Sequence, residues 1–263
     1  MSVRMRASSL FLSHGAPTIA LEKGPYAEAL GRVGSVLPAP AAIIAFSGHF
    51  QAPGPIRIAS GLRPPTVHDF SGFPAELFAI EYPAPGDPQL AEKVWSLLAA
   101  SGRSALLDPN RGWDHGLWVP LRWMFPRAAI PIVEVSLSPN ASPDELLAIG
   151  RALSPLREQG VLLIGSGGIV HNLARVRFGR ADVDPWAQRF DDWIAERLAS
   201  RDIPALTRYR TEAPDADLAV PTNEHFDPLF VALGYAAPED RTVPIYRGFE
   251  HGNISLQSFA LGE

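Results

Sequence analysis

Val161-Leu162-Leu163-Ile164-Gly165-Ser166-Gly167-Gly168-Ile169-Val170-His171-Asn172 is the stretch on which the fold turns. Its first four residues form a continuous apolar run, which suits a strand covered on both faces of a sheet. Glycines follow, permitting a tight turn and close approach of another backbone or a ligand. A histidine comes next. The run is not a phosphate loop of the G-x-x-x-x-G-K-[ST] kind. Ile164 breaks a G-x-S-x-G nucleophile elbow, and Val170 breaks G-x-G-x-x-G.

The same arrangement occurs twice more. Leu10-Phe11-Leu12 leads into Ser13-His14-Gly15-Ala16-Pro17-Thr18, and Ile43-Ile44-Ala45-Phe46 leads into Ser47-Gly48-His49-Phe50. The apolar runs at 9–12, 41–46, 105–107, 130–137 and 161–164 are read as buried strands. Helical patterns lie between them. Asp87-Pro88 and Ser142-Pro143-Asp144-Glu145 each place a capping residue before proline at the first helical position, opening helices to about Ala100 and Ser154. Asp184-Pro185 opens a third, through Trp186, Phe190 and Trp193 to Leu198. Strands alternating with helices imply an α/β fold with a mainly parallel central sheet flanked by helices. Residues 241–261 add two strands, the one at 254–261 being a candidate antiparallel edge. Residues 212–220 are polar and acidic and are read as a surface loop.

The 263 residues are 46% hydrophobic and 19% charged, ordinary globular usage that excludes whole-chain disorder or coiled coil. No repeat or low-complexity linker divides the chain, and one domain over 1–263 is the expectation. The net charge is −5, and Lys23 and Lys93 are the only lysines. There is thus no basic run for nucleic acid and no polybasic patch for a membrane surface. The stretch after Arg4 and Arg6 is broken by Ser13 and His14, too short for a secretory segment, and no apolar run approaches the ~18 residues of a membrane span. A cytoplasmic protein is expected. With no cysteine, thiolate metal sites, iron–sulfur clusters and cysteine nucleophiles are excluded. Any metal must be held by His, Asp or Glu.

Seven histidines are present, and three of them (His14, His49, His171) fall just past the carboxyl ends of strands, where open parallel sheets bind ligands. One such histidine is most often a hydrogen-bonded structural residue; three at one edge point to a metal or catalytic site. His115, in Asp114-His115-Gly116-Leu117-Trp118, reads either as capped structure among tryptophans or as an acid/base. His225, in Glu224-His225-Phe226-Asp227-Pro228, is placed in the first turn of a helix. His68 and His251 default to the surface. Imidazole without thiolate suits Zn(II), Fe(II), Cu(II) and Ni(II), and the absence of H-E-x-x-H argues against a zincin protease. Phe50, Trp113, Trp118 and Phe226 flank these motifs, as the wall of an aromatic site or as core.

Five motifs in this order, around His14, His49, His115, His171 and His225, resemble the class III extradiol ring-cleavage dioxygenases of the 4,5-DOPA dioxygenase type. The resemblance runs from about residue 9 to 260. It implies a single α/β domain with a metal site at the carboxyl ends of the strands. It also implies one mononuclear divalent metal, Fe(II) for activity, with Zn(II) as an occupant in metal-substituted protein. His14 and His49 match the first two ligands and His225 the third. His171 matches a residue beside the metal that ligates it when substrate is absent or acts as acid/base, and His115 one that lines the catechol site. Other members of the wider class complete the site with a glutamate; here Glu224 stands beside His225. Adjacent helical residues point about 100° apart, so one of the two is expected to ligate, and His225 is the choice. The implied partners are a small catechol and O₂, with a monomer or small homo-oligomer. A zinc hydrolase on the same histidines and a non-catalytic Memo-like binding protein are the alternatives.

Overall fold

The computed structural model describes residues 9–262, so the reading of Arg4 and Arg6 lies outside the described residues. The strands are β1 (Ser9–Ser13), β2 (Ala42–Ser47), β3 (Ile56–Ala59), β4 (Ala105–Asp108), β5 (Ile132–Glu134), β6 (Val161–Gly167), β7 (Arg241–Tyr246), β8 (Phe249–Glu250), β9 (Ile254–Ser255) and β10 (Ser258–Gly262). Six of them form the central sheet in the order β5-β2-β6-β1-β10-β7. The first four run parallel, and β10 runs antiparallel to β1 and β7.

Alternation along each parallel strand builds two apolar layers. Phe11, Ile44, Phe46 and Leu163 face one side, where helices Pro143–Leu153, Pro185–Ala199 and Pro228–Tyr235 pack. Leu10, Leu12, Ile43 and Ile164 face the other, against helices Pro25–Val36 and His115–Met124. Both faces are covered, which is why the strands read as continuous apolar runs rather than alternating ones. The chain is an α/β domain with a mainly parallel central sheet flanked by helices. No helix among the described residues is long and apolar enough to cross a membrane.

Helix starts follow the expected chemistry. Asp87 accepts from Leu90 N, and Ser142 forms a full capping box with Glu145. Asp184 also precedes its helix, but its carboxylate is paired with Arg177 instead of capping.

Four expectations are corrected. The run at 105–107 is a strand, but it pairs with β3 in a separate two-stranded sheet. The run at 130–137 narrows to Ile132–Glu134, with isolated bridges at Val135 and Leu137. The C-terminal strand starts at Ser258, not 254, and is interior; the edge is β7, where Pro244 interrupts the donor ladder, as edge strands tolerate. Residues 212–220 are no plain surface loop: helix Ala216–Ala219 buries Ala216 and Ala219, and Val220 is buried beside them.

Candidate metal and catalytic site

β2, β6 and β1 are neighbours in register, Ser13 opposite Gly167 and Ser47 opposite Ser166. The residues just beyond them therefore emerge side by side. This brings His14 and His49 together, and the turn before helix Pro228–Tyr235 adds His225. His225 is thus not in a first helical turn; that helix begins at Pro228. The turn can lie this close because Gly167 has no side chain: a Cβ there would fall 1.9 Å from His225 O. Gly116 is needed in the same way, since its Cβ would sit 2.5 Å from Ser47 Oγ and 3.1 Å from His14 Nδ1.

His49 Nε2 lies 3.1 Å from His14 Nε2 and 3.2 Å from His225 Nε2. The other nitrogen of each ring is spoken for. His49 Nδ1 is 3.2 Å from Asp69 Oδ2, and His225 Nδ1 is 3.2 Å from Glu224 Oε1. His14 Nδ1 is 3.0 Å from Ser166 Oγ, whose own hydroxyl donates to the Gly116 carbonyl. Ser166 Oγ therefore accepts. Facing three acceptors, the rings carry their protons on Nδ1 and direct three Nε2 lone pairs at one point. Lone pairs so placed repel one another unless a cation sits between them. Neutral imidazoles oriented by partners on the far nitrogen are the donor set of a divalent metal site, and His14, His49 and His225 could hold one. The residues fit the implied group.

Electrostatics point the same way. Burial and the neighbouring imidazoles hold His14 well below its ordinary value and His49 at about 2. His171 is held at about 3, by burial and by His225. These three shifts favour neutral His14, His49 and His171, because burying several imidazolium charges together costs too much. The carboxylates move oppositely to isolated buried acids. Burial pushes Glu224 up, but the hydrogen bonds from His225 and Thr222 outweigh it and leave it at about 2. Asp69 is likewise held below the carboxylate range by His115 and His49, against the burial effect.

His115 and His171 flank the three. His115 opens helix His115–Met124 with Asp114 as cap. Its Nδ1 lies 2.9 Å from Asp69 Oδ1, and its backbone N–H donates to the same oxygen. Its ring centroid is 4.0 Å from that of His49. His171 stacks on His225 at 3.6 Å with planes 9° apart, and its nitrogen groups with Glu224 and His225. Its backbone N–H is held by the Ala219 carbonyl, on the segment read from sequence as a surface loop.

A cavity of about 220 Å³ opens over His49, Asp69, His115, His171 and His225. An apolar cavity of about 150 Å³ accepts benzene, so a substituted single ring has room. Its aromatic wall is Phe70, Phe73 and Phe178. The candidates Phe50, Trp113, Trp118 and Phe226 are buried core and do not line it. Besides these wall residues, Asp69 and His251 escaped the sequence reading. Asp69 bridges His49 and His115, and its only signal was its place between His68 and Phe70. His251, assigned to the surface, lines the cavity, whereas His68 points its Nε2 at the Ile80 carbonyl.

A family model described as the catalytic LigB subunit of aromatic ring-opening dioxygenase matches residues 9–251. The chain belongs to this family of extradiol ring-opening dioxygenases. It is 40% identical to a 4,5-DOPA dioxygenase extradiol of Portulaca grandiflora over 95% of this chain and 94% of that one. It is 36% identical to the protein of that description from Escherichia coli K12, over 98% and 95%. The crystal structure of the uncharacterized protein JW3007 from Escherichia coli K12 superposes with a TM-score of 0.83 at 31% identity, covering 98% of this chain and all of that one.

Proposed function

We propose that the protein opens the ring of a catechol with O₂ by extradiol cleavage, at a mononuclear divalent metal held by His14, His49 and His225. The observation that carries this is the convergence of three Nε2 atoms whose Nδ1 partners are Ser166, Asp69 and Glu224. In that arrangement Glu224 orients His225 rather than ligating. Held there, Fe(II) would supply a Lewis acid for the catechol and a redox state able to relay electron density to O₂, which Zn(II) lacks.

The chain's own residues handle protons and position. A catechol must lose protons to chelate. With Nδ1 held at Asp69, His115 lines the cavity and is positioned to take a catechol proton. His171, neutral and stacked on His225, is the second group able to take or return a proton. Phe70 stands edge-on to His115, ring centroids 5.5 Å apart, and lines the cavity beside it. Both oxygen atoms of O₂ end in the ring-opened product, so no external reductant is consumed.

The test is oxygen uptake with a catechol panel after metal removal and anaerobic reloading with Fe(II), beside a zinc-loaded sample. Uptake with a yellow ring-opened product in the iron form alone is expected. No uptake with stoichiometric metal bound would return the site to a zinc hydrolase or a binding protein.

A further inference from the structure

The lining of the cavity beyond the histidines and Asp69 is apolar. Phe70, Phe73, Leu173, Val176, Phe178 and Ile254 supply it, and among the described residues no lysine or arginine does. Leu173 is 64% exposed and Phe178 70% exposed. Large apolar side chains left in water at the rim of a pocket are surface that a ligand covers.

Asp69, Arg177, Arg180 and His251, the polar groups at hand, already have partners. Both Asp69 oxygens are engaged by His115 and His49. In the rim loop, Arg177 is paired with Asp184, and Arg180 with Asp182 and Asp184. Arg175 is exposed and outside the lining. His251, packed on Phe178 at 4.9 Å, accepts the Gly179 N–H at Nδ1 over 3.2 Å. A carboxylate seated here would be desolvated without a cationic partner, whereas each methylene buried against these side chains tightens binding by about fourfold.

Resting on the ring-opening reading above, we propose that the substrate is a catechol carrying an uncharged, apolar substituent, alkyl or aryl, which Leu173, Val176 and Phe178 cover. DOPA, with a carboxylate and an ammonium group, then ranks below such a catechol.

The test compares 4-butylcatechol, unsubstituted catechol, 3-(3,4-dihydroxyphenyl)propanoate, dopamine and DOPA. Two readouts are used: kcat/KM for oxygen uptake by the Fe(II) form, and dissociation constants for the zinc form by calorimetry. The butyl compound is expected to exceed catechol by about tenfold or more in both, the carbon count allowing more, and to exceed the propanoate by a larger margin. In the Leu173→Ala/Phe178→Ala double variant, at two exposed positions that do not threaten folding, the butyl-to-catechol ratio should fall severalfold. A propanoate, DOPA or dopamine equal to or better than the butyl compound overturns the proposal. If Arg175→Ala also abolishes a carboxylate preference, the substituent is anionic and that arginine holds it. An unchanged ratio in the double variant overturns the assignment of the rim. Absence of oxygen uptake with every catechol defeats the ring-opening reading alone. The calorimetric ranking then still decides the substituent: tighter alkyl binding supports it and tighter carboxylate binding overturns it.

Discussion

On the floor of the cavity His14, His49 and His225 each have one nitrogen tied to a neighbour and the other aimed at a shared point. Two of them follow strands of a sheet covered on both faces, and glycine at 116 and 167 lets the pieces meet within van der Waals limits. At the mouth, Leu173 and Phe178 stand largely in water on the loop at 173–180, whose Arg177 and Arg180 are paired with carboxylates. The floor is over-determined and the mouth is not. On the proposed function that division separates chemistry from selectivity: reacting groups need fixed geometry on rigid elements, while selectivity is set by loops that need only present the right surface.

If the comparison holds, floor substitutions affect every catechol alike, and mouth substitutions change only the ranking among them. The largest effect is expected from His49→Ala, whose Nε2 is the common neighbour of the other two. Metal content should fall to background by elemental analysis, and turnover of all catechols with it. Retention of stoichiometric metal would remove His49 from the ligand set. Next comes His115→Ala. It should keep its metal and lose about 10²–10⁴-fold in turnover, the span of a positioned acid/base. Loss of the metal instead would make His115 a ligand.

Part of the floor was legible in the strand pattern of the sequence and the mouth was not, while His225, which follows no strand, was placed only by the family resemblance. A buried strand announces itself by a continuous apolar run, and the residue just past its end must lie at the sheet edge, so His14, His49 and His171 could be placed together from their local context alone. Asp69 and His251 belong to segments positioned by tertiary contacts. The loop carrying Asp69 is held by Val67 N to Trp113 O and Trp113 N to Pro65 O, bonds no local pattern foretells. His251 sits at φ 54°, in the left-handed region, before Gly252 at φ 90°, a turn whose direction depends on the β8–β9 pairing. β3 was missed because it has four residues with Arg57 exposed, leaving no apolar run to see. Two strands were expected in 241–261, but which of them is interior depends on the pairing of β7 outside β10, which no local pattern foretells.

The two carboxylates grade the floor more finely. Asp69 serves two histidines and Glu224 serves one. Asp69→Asn replaces one of two accepting oxygens with a donor and so must fail at either His49 or His115. A loss of about 10–100-fold in metal affinity or turnover is expected, the usual cost of removing a partner that orients a ligand. Glu224→Gln keeps an oxygen that can face His225 Nδ1, so its loss should lie near the lower end, about tenfold. Equal effects would mean that the bridging role of Asp69 carries no weight. Zinc titration and steady-state kinetics on both variants measure this.

The smallest effect is on stability, and its sign follows from the same neutral cluster. His49 at about 2 and His171 at about 3 lie far below the ordinary 6.5 that they regain on unfolding. Between those values the unfolded chain binds more protons than the folded one, so stability rises with pH there. It is fully present above about 6.5 and is lost progressively as the pH falls toward 3. Glu224, at about 2 when folded, acts in the same direction but only below the ordinary carboxylate value near 4.5. From pH 7.5 to 5.5 the histidines therefore act without it. The thermal midpoint of the metal-free protein should drop by several degrees across that interval. His171→Gln should flatten the slope by removing one such group, while Phe178→Ala at the mouth should leave a parallel line. A midpoint independent of pH over this range would mean that the floor histidines are not buried neutral, and with that the argument for three converging lone pairs would fail.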